Sequence, residues 1–584
     1  MCSAKNYRPT DVKRGLLLQV TVQVQEMAPK KHGYTIGVDV GTGSVRAALM
    51  TLQGDFIKGA VKEIGTWRPR GFPDFYQQSS TDVWQAVCNA VRDITYTIDV
   101  KMVKGIGFDG TCSLVVLDKK SNPLSVSPNG EPDQNIILWM DHRAVGEAEL
   151  INKLHHAVLQ TLGGKMSPEM ATPKLMWLKR QMFVKCWTQA GHFFELPDFL
   201  TWRATGAFSR SSCTMTCAWT YQIDANEKKG WNIDFFRQLG LEDLAENNWE
   251  KIGSEILAPG EPCGKGLTKQ AASEMGLLEG IPVATSTIDG NAGAIGMICV
   301  KEKIDAASLS LDSVLCLVSG TSNCHLFSTD RAVYVHGLWG PFYNAVVPGM
   351  YVNEGGQSAS GSLLDFIIET HEAYPEIRAK LTSVTNLLFS NIYDYLNNLV
   401  DKIAQKRQIP VDELTHNIHV WPDFHGNRSP EADPSLRGMV CGLNMSSSEE
   451  DLAILYLATL QSLAYGTRHI VETLQAAGHK NLRQIIICGG MRKNNLFVQT
   501  HANVLSMPVL RPRREDSVLL GSGMLGARAA GVYDNLRDAM ESMAGTAFIT
   551  EPYIKSNYHD RKYKVFLKML QHQKEYRQIM EGAA

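Results

Sequence analysis

The chain has 584 residues, 44% hydrophobic and 20% charged, an ordinary globular composition spread over a length that suits several domains. Its 58 basic and 60 acidic residues nearly cancel, so no bulk field draws it to nucleic acid or to an anionic membrane. No stretch approaches the roughly 18 apolar residues of a membrane span, and the twelve cysteines are scattered, without a CxxC pair or zinc spacing. Buried reduced thiols, a reducing compartment and a cytoplasmic location are the expectation.

Residues 1–32 are expected to be a disordered extension or an alternative start. Their apolar run "GLLLQVTVQVQ" is too short and too polar for a signal-peptide core. From Tyr34 the pattern alternates strands and helices. "YTIGVDVGTGSVRAALM" reads as strand, Gly-Thr-Gly-Ser break, strand. "STDVWQAVCNAVRDI" predicts a helix capped by Ser80, with Trp84, Val87, Val91 and Ile94 on one face. "KGIGFDGTCSLVVLD" is again strand, polar Gly-rich break, strand. Cys213 and Cys217 are one helical turn apart, which explains their spacing as well as a metal would.

A second unit of the same kind starts near Lys303 and opens with "SVLCLVSGTSNCHLFS", a short echo of the first hairpin. Ser448 precedes Glu449, Glu450 and Asp451, a favourable acidic first turn for a long helix ending near Gly478. "RQIIICGG" reads as a buried strand and "NNLFVQTHANVL" as a helix. The last fifty residues look helical and amphipathic.

Asp39 before the first break and Arg46 after it are more than a turn requires, and they suggest a loop that holds an anion. Backbone N–H groups and short hydroxyls in Gly-Thr turns can surround phosphate oxygens. Asp39 could hold Mg²⁺ through water, and Arg46 could reach a moving phosphoryl group. A decorated hairpin, with Arg46 in an ion pair, explains the same residues. No Walker loop GxxxxGK[ST] exists. "GSGMLGA", Gly521 to Ala527, fits the dinucleotide fingerprint, but it does not open a βαβ unit, and close helix packing accounts for it better.

These motifs resemble the actin-like ATPase clan. Within it, "TSTIDGNAGAIG", "CGGMRKNNLFVQTHANVL" and "FHGNRSPEADPSLRG" resemble the FGGY carbohydrate kinases. "GFDGTCSLVVLD", "LWMDHRA" and "VPGMYVNEGGQSASG" narrow the resemblance to ribulokinase-like pentulose kinases. It implies an α/β protein of two actin-like (ribonuclease H-like) domains, 33–300 and 301–584, with the catalytic cleft between them. It also implies ATP, Mg²⁺ and a small sugar as ligands; a homodimer is compatible with it. Asp289 would be the catalytic base and Arg46 its electrostatic partner, with Asp39 and Asp289 at the metal. Thr42, Gly43, Ser44, Gly320, Thr321, Gly489, Gly490 and Asn494 would hold the nucleotide. Asp109, Gly110, Thr111, Trp139, Asp141, His142, Arg143, Glu354 and Gln357 would face the sugar. One departure stands out: where the ribulokinase-like pattern has a sugar-holding lysine before Trp-Thr-Tyr, this chain has Ala218. A catalytically weakened sugar- or nucleotide-binding protein on the same fold, a kinase for another sugar such as xylulose or a pentitol, and a sugar-independent ATPase are the rival readings.

Overall fold

The computed structural model describes residues 32–226, 228–303, 309–382, 389, 391–553 and 557–582. The expected N-terminal extension falls, except for His32, outside these residues.

Two sheets dominate. The first has the order β5-β4-β1-β2-β3, formed by β1 (Tyr34–Val40), β2 (Ser44–Thr51), β3 (Phe56–Glu63), β4 (Val103–Gly110) and β5 (Thr287–Ile288). β1 and β2 form an antiparallel hairpin, and β4 lies parallel to β1 on its other side. The register sets Asp39 between Arg46 on one flank and Asp109 on the other.

The second sheet comprises β6 (Val314–Ser319), β7 (Asn323–Thr329), β8 (Trp339–Tyr343), β9 (Tyr351–Gln357), β10 (Gln484–Cys488), β11 (Val509–Pro512) and β12 (Ala547–Thr550). Its order is β8-β9-β7-β6-β10-β11-β12. β6 and β7 again form an antiparallel hairpin, with β10 parallel to β6. The echo between the two hairpin sequences is therefore a structural repeat. The chain's final segment is not wholly helical, because β12 completes this sheet.

Seven helices matter below: α1 (Ser80–Thr95), α2 (Ser212–Ala218), α3 (Asp289–Met297), α4 (Glu449–Ala476), α5 (Asn495–Leu505), α6 (Ser517–Ala529) and α7 (Tyr558–Met580). The predicted apolar face of α1 is buried. Its cap is Ser79 rather than Ser80: Ser79 is extended and accepts from the Asp82 N–H, while the Ser80 N–H is donated to Asn135. Ser448 caps α4 as the acidic first turn predicts.

The glycine-rich "GSGMLGA" lies inside α6, which is wedged between the halves. A Cβ on Gly521 would lie 2.0 Å from the Ala292 carbonyl oxygen of α3, and one on Gly296 would lie 1.9 Å from that of Ser517. On the strand side, a Cβ on Gly107 of β4 would lie 1.9 Å from the Ser522 carbonyl. These glycines let two helices and a sheet meet backbone to backbone, so the stretch packs helices and is not a dinucleotide loop. Because α3 starts at Asp289 and α6 starts just after Asp516, the crossing also sets how these two carboxylates face each other.

Candidate active site

A cavity of about 410 Å³ opens between the two hairpin turns, the start of α3, the end of α2 and the turn after β10. Its volume is in the range of small-ligand sites.

At the acidic end, Asp39 is almost fully buried, and Arg46 Nε donates to its carboxylate at 2.7 Å. The same guanidinium also pairs with Asp516, the N-cap of α6. Burial works against Arg46's charge, but Asp39 and Asp516 together hold its pKa above the ordinary value. Asp289 faces the cavity from the first turn of α3, and its Oδ1 accepts from the Gly290 N–H at 2.7 Å. Burial, reinforced by the charge on Asp39, pushes its carboxyl up to about 7; the Gly290 N–H, Arg46 and Arg428 pull it back. Asp109, expected at the sugar, is a correction. Its side chain is fully buried behind the wall and accepts from Ser522 of α6; burial and the neighbouring Asp39 raise its pKa well above the carboxylate range.

Among the described residues, no group of three or more His, Cys, Asp or Glu side chains is placed to hold a metal ion by itself. Asp39 and Asp289 share one wall. That donor set fits Mg²⁺, which takes one or two carboxylates and otherwise keeps waters and substrate phosphates.

Of the expected nucleotide residues, Thr42, Gly43, Gly320, Thr321, Gly489 and Gly490 line the cavity. A Cβ on Gly43, Gly320 or Gly490 would meet no protein atom within 4 Å, so these backbones are open to an incoming group. Gly489 is required by shape: its φ is 84°, and a Cβ would lie 2.2 Å from the Ser319 carbonyl. Two expectations are not met at the wall. Ser44 opens β2 without lining the cavity. Asn494 is used up as the N-cap of α5, accepting from Phe497 N–H and donating to the Tyr456 hydroxyl.

On the opposite side, Thr111, Trp139 and Glu354 line the cavity, and so does Ala218, the last residue of α2. Trp139 is fixed by its indole N–H, which donates to Thr42 Oγ1 at 3.1 Å. Burial pushes the Glu354 carboxyl up to about 7, opposed by Arg428. The rest of the expected sugar set lies elsewhere. Asp141 and Arg143 are fully buried and pair with each other at 2.7 Å. Asp141 also accepts from the Tyr76 N–H, and the Arg143 guanidinium lies 4.3 Å from the Phe75 ring. They shape the loop behind Trp139. His142 stacks on His425, Gly110 ends β4 as backbone, and Gln357 is spent on Asn323 and the Leu463 carbonyl.

Sequence reasoning missed Glu169, Trp339 and Arg428, all on this wall. Arg428 pairs with Glu169 at 3.2 Å, and its guanidinium lies 5.6 Å from the Trp139 ring and 5.7 Å from that of Trp339. The signal for Arg428 was present, because it sits inside "FHGNRSPEADPSLRG". Nothing local distinguishes Glu169. Buried Lys174 holds this corner, donating to the Leu138 carbonyl at 2.7 Å and the Glu169 carbonyl at 2.9 Å.

Residues 34–296 match the N-terminal domain of the FGGY family of carbohydrate kinases, and residues 315–530 match its C-terminal domain. The chain belongs to the FGGY family of carbohydrate kinases. A human "FGGY carbohydrate kinase domain-containing protein" is 46% identical over 555 residues, 94% of this chain and 98% of the relative. A D-ribulokinase of Saccharomyces cerevisiae is 37% identical over 530 residues, 86% of this chain and 73% of the relative. The fold is that of a xylulose kinase from Rhodospirillum rubrum, with TM-score 0.70, 20% identity and coverage of 93% and 99% of the two chains.

In this FGGY kinase the cleft thus gathers three features: the backbone-open glycine turns of the two hairpins and of the segment after β10, two carboxylates near a guanidinium, and a wall of tryptophan, glutamate and arginine. A second cavity, of about 370 Å³, lies beside α1 and lacks them. There Trp84 and Arg203 both spend their donors on Glu274, at 2.7 and 2.9 Å, so the polar groups answer one another.

Proposed function

We propose that this kinase transfers the γ-phosphoryl group of ATP to a hydroxyl of a ketopentose, D-ribulose-like pentuloses foremost, or of a related polyol. The observation that carries the reading is the position of Asp289. It heads α3 on a cavity shared by both glycine turns and by the Trp139–Glu354 wall. The relative named D-ribulokinase supports a pentulose.

In this reading the sugar hydroxyl lies against Asp289, whose raised pKa makes it a base poised near neutrality. As Asp289 takes the proton, the sugar oxygen attacks the γ-phosphorus in line and ADP leaves. Arg46 and the backbone N–H groups of the turns at Gly41–Gly43 and Gly320–Ser322 stabilise charge on the transferring group. Asp39 and Asp289 would hold Mg²⁺ through water, and that ion, when bound, neutralises phosphate charge. Trp139 and the carboxylate of Glu354 orient the sugar. The eleven described cysteines are free, which supports residence in a reducing compartment such as the cytoplasm.

The test is ADP release with and without a panel of pentuloses, pentitols and glycerol, run on wild type and Asp289→Asn. Wild type should respond to a pentulose, and Asp289→Asn should bind ATP normally while losing about 10² or more in kcat. Equal ADP release with and without every sugar would overturn the reading.

A further inference from the structure

Ala218 leaves a gap in the expected sugar site, and the cleft wall shows what fills its chemical role. Position 218 does face the cavity. Lys228 and Lys229, close by in sequence, do not line it, and Lys174 is committed to backbone carbonyls. Among the described residues, the cations that line the cleft are Arg46 and Arg428. Arg46 is held at the phosphate end by Asp39 and Asp516.

Arg428 is different. Its side chain is only 9% exposed, and one carboxylate, Glu169, takes its Nη2. Its Nε has no partner but is shielded from the cavity, so a ligand oxygen would be met by the guanidinium's Nη groups. A guanidinium offers five donors and no acceptor, so a buried one with open donors is matched by an acceptor brought in from outside. The flanking Trp139 and Trp339 hold the side chain beside the cavity. Glu169 and Glu354 on the same wall are acceptors when ionised and so suit donating hydroxyls. A carbonyl oxygen only accepts, so on this wall it can be met by Arg428 and not by an ionised glutamate, whereas a hydroxyl can be met by either.

We infer that Arg428 is the specificity-determining cation of the sugar site, gripping the carbonyl oxygen of an open-chain ketose in place of the lysine absent at 218. The inference rests on the proposed sugar-kinase reading and deepens it. It also makes the site a joint product of both domains, since Arg428 comes from the C-terminal domain and Glu169 from the N-terminal one. The two are already latched at this corner, where the Gly337 N–H donates to the Gly163 carbonyl at 3.1 Å.

D-ribulose and ribitol, which differ in that carbonyl, are the probes. Wild type should show a KM for D-ribulose at least about tenfold below that for ribitol. Arg428→Gln should raise the ribulose KM by about ten- to a hundredfold, the range for a lost hydrogen bond to a charged group. The ribitol KM should move less than about threefold and the KM for ATP less than about twofold. Arg428→Lys, which keeps the charge and loses the fork, should fall between. Ala218→Lys added to Arg428→Gln should recover part of the ribulose affinity by supplying a cation from the other domain.

Equal wild-type KM values for the two sugars would overturn the inference without any variant, which covers the case in which Arg428→Gln fails to fold. An unchanged ribulose-to-ribitol ratio in a folded Arg428→Gln would overturn it as well. Both results differ from failure of the sugar-kinase reading itself, in which wild type shows no sugar-dependent ADP release at all.

Discussion

Replacing Gly521 with alanine adds one methyl group in the middle of the molecule and should disable the kinase more than it unfolds it. In an unobstructed helix, Gly→Ala stabilises by about 1 kcal/mol. Here the new Cβ would lie 2.0 Å from the Ala292 carbonyl oxygen, and side-chain carbons are essentially never closer than 3.0 Å to a neighbour. Helices α3 and α6 would have to separate by about 1 Å, since neither backbone can rotate away. Overpacking of this kind costs about 1–3 kcal/mol, partly offset by the helix gain, so Tm should fall by only a few degrees. Ala292 is three residues from Asp289, and Asp516, the partner of Arg46, caps the other helix. A misplacement of about 1 Å at reacting groups costs roughly 10² in rate. The assay is kcat with the best sugar, read beside Tm. The control is Gly523→Ala, whose Cβ would meet the mobile end of Met50 at 2.4 Å and should be milder. If Gly521→Ala matches wild type in kcat, or if both variants behave alike, the backbone crossing does not set the active-site geometry.

Three further outcomes are expected. With Asp289 held up to about 7 and required in its ionised form, kcat/KM for the sugar should rise roughly tenfold between pH 6 and pH 8; a flat profile over that interval contradicts the assignment. Arg46→Ala should lower kcat more than it weakens ATP binding, because its charge matters most as the phosphoryl group moves; unchanged kcat would leave Arg46 a structural ion-pair residue. Asp141→Asn leaves the buried Arg143 guanidinium without its counter-charge and should cost about 3–5 kcal/mol in denaturant unfolding. A loss confined to the sugar KM would return Asp141 to the sugar site.

Local pattern determined much of this protein. The apolar runs of β1, β6 and β10, the stripe on α1 and the acidic turn that opens α4 are all properties of neighbouring residues, and each element appears where its pattern places it. The glycine turns and Asp289 stand in short motifs that bring their own geometry, and these residues line the cavity. What the sequence could not decide was which polar residues reach the cavity. Asp141, Arg143, Gln357 and Asn494 sit in conspicuous motifs yet are consumed by partners such as Asp141 for Arg143 and Leu463 for Gln357, whose approach only the tertiary fold arranges. Glu169 and Arg428 lie 259 positions apart and have no local relation. They become one ion pair on the cleft wall because the two domains close on each other there.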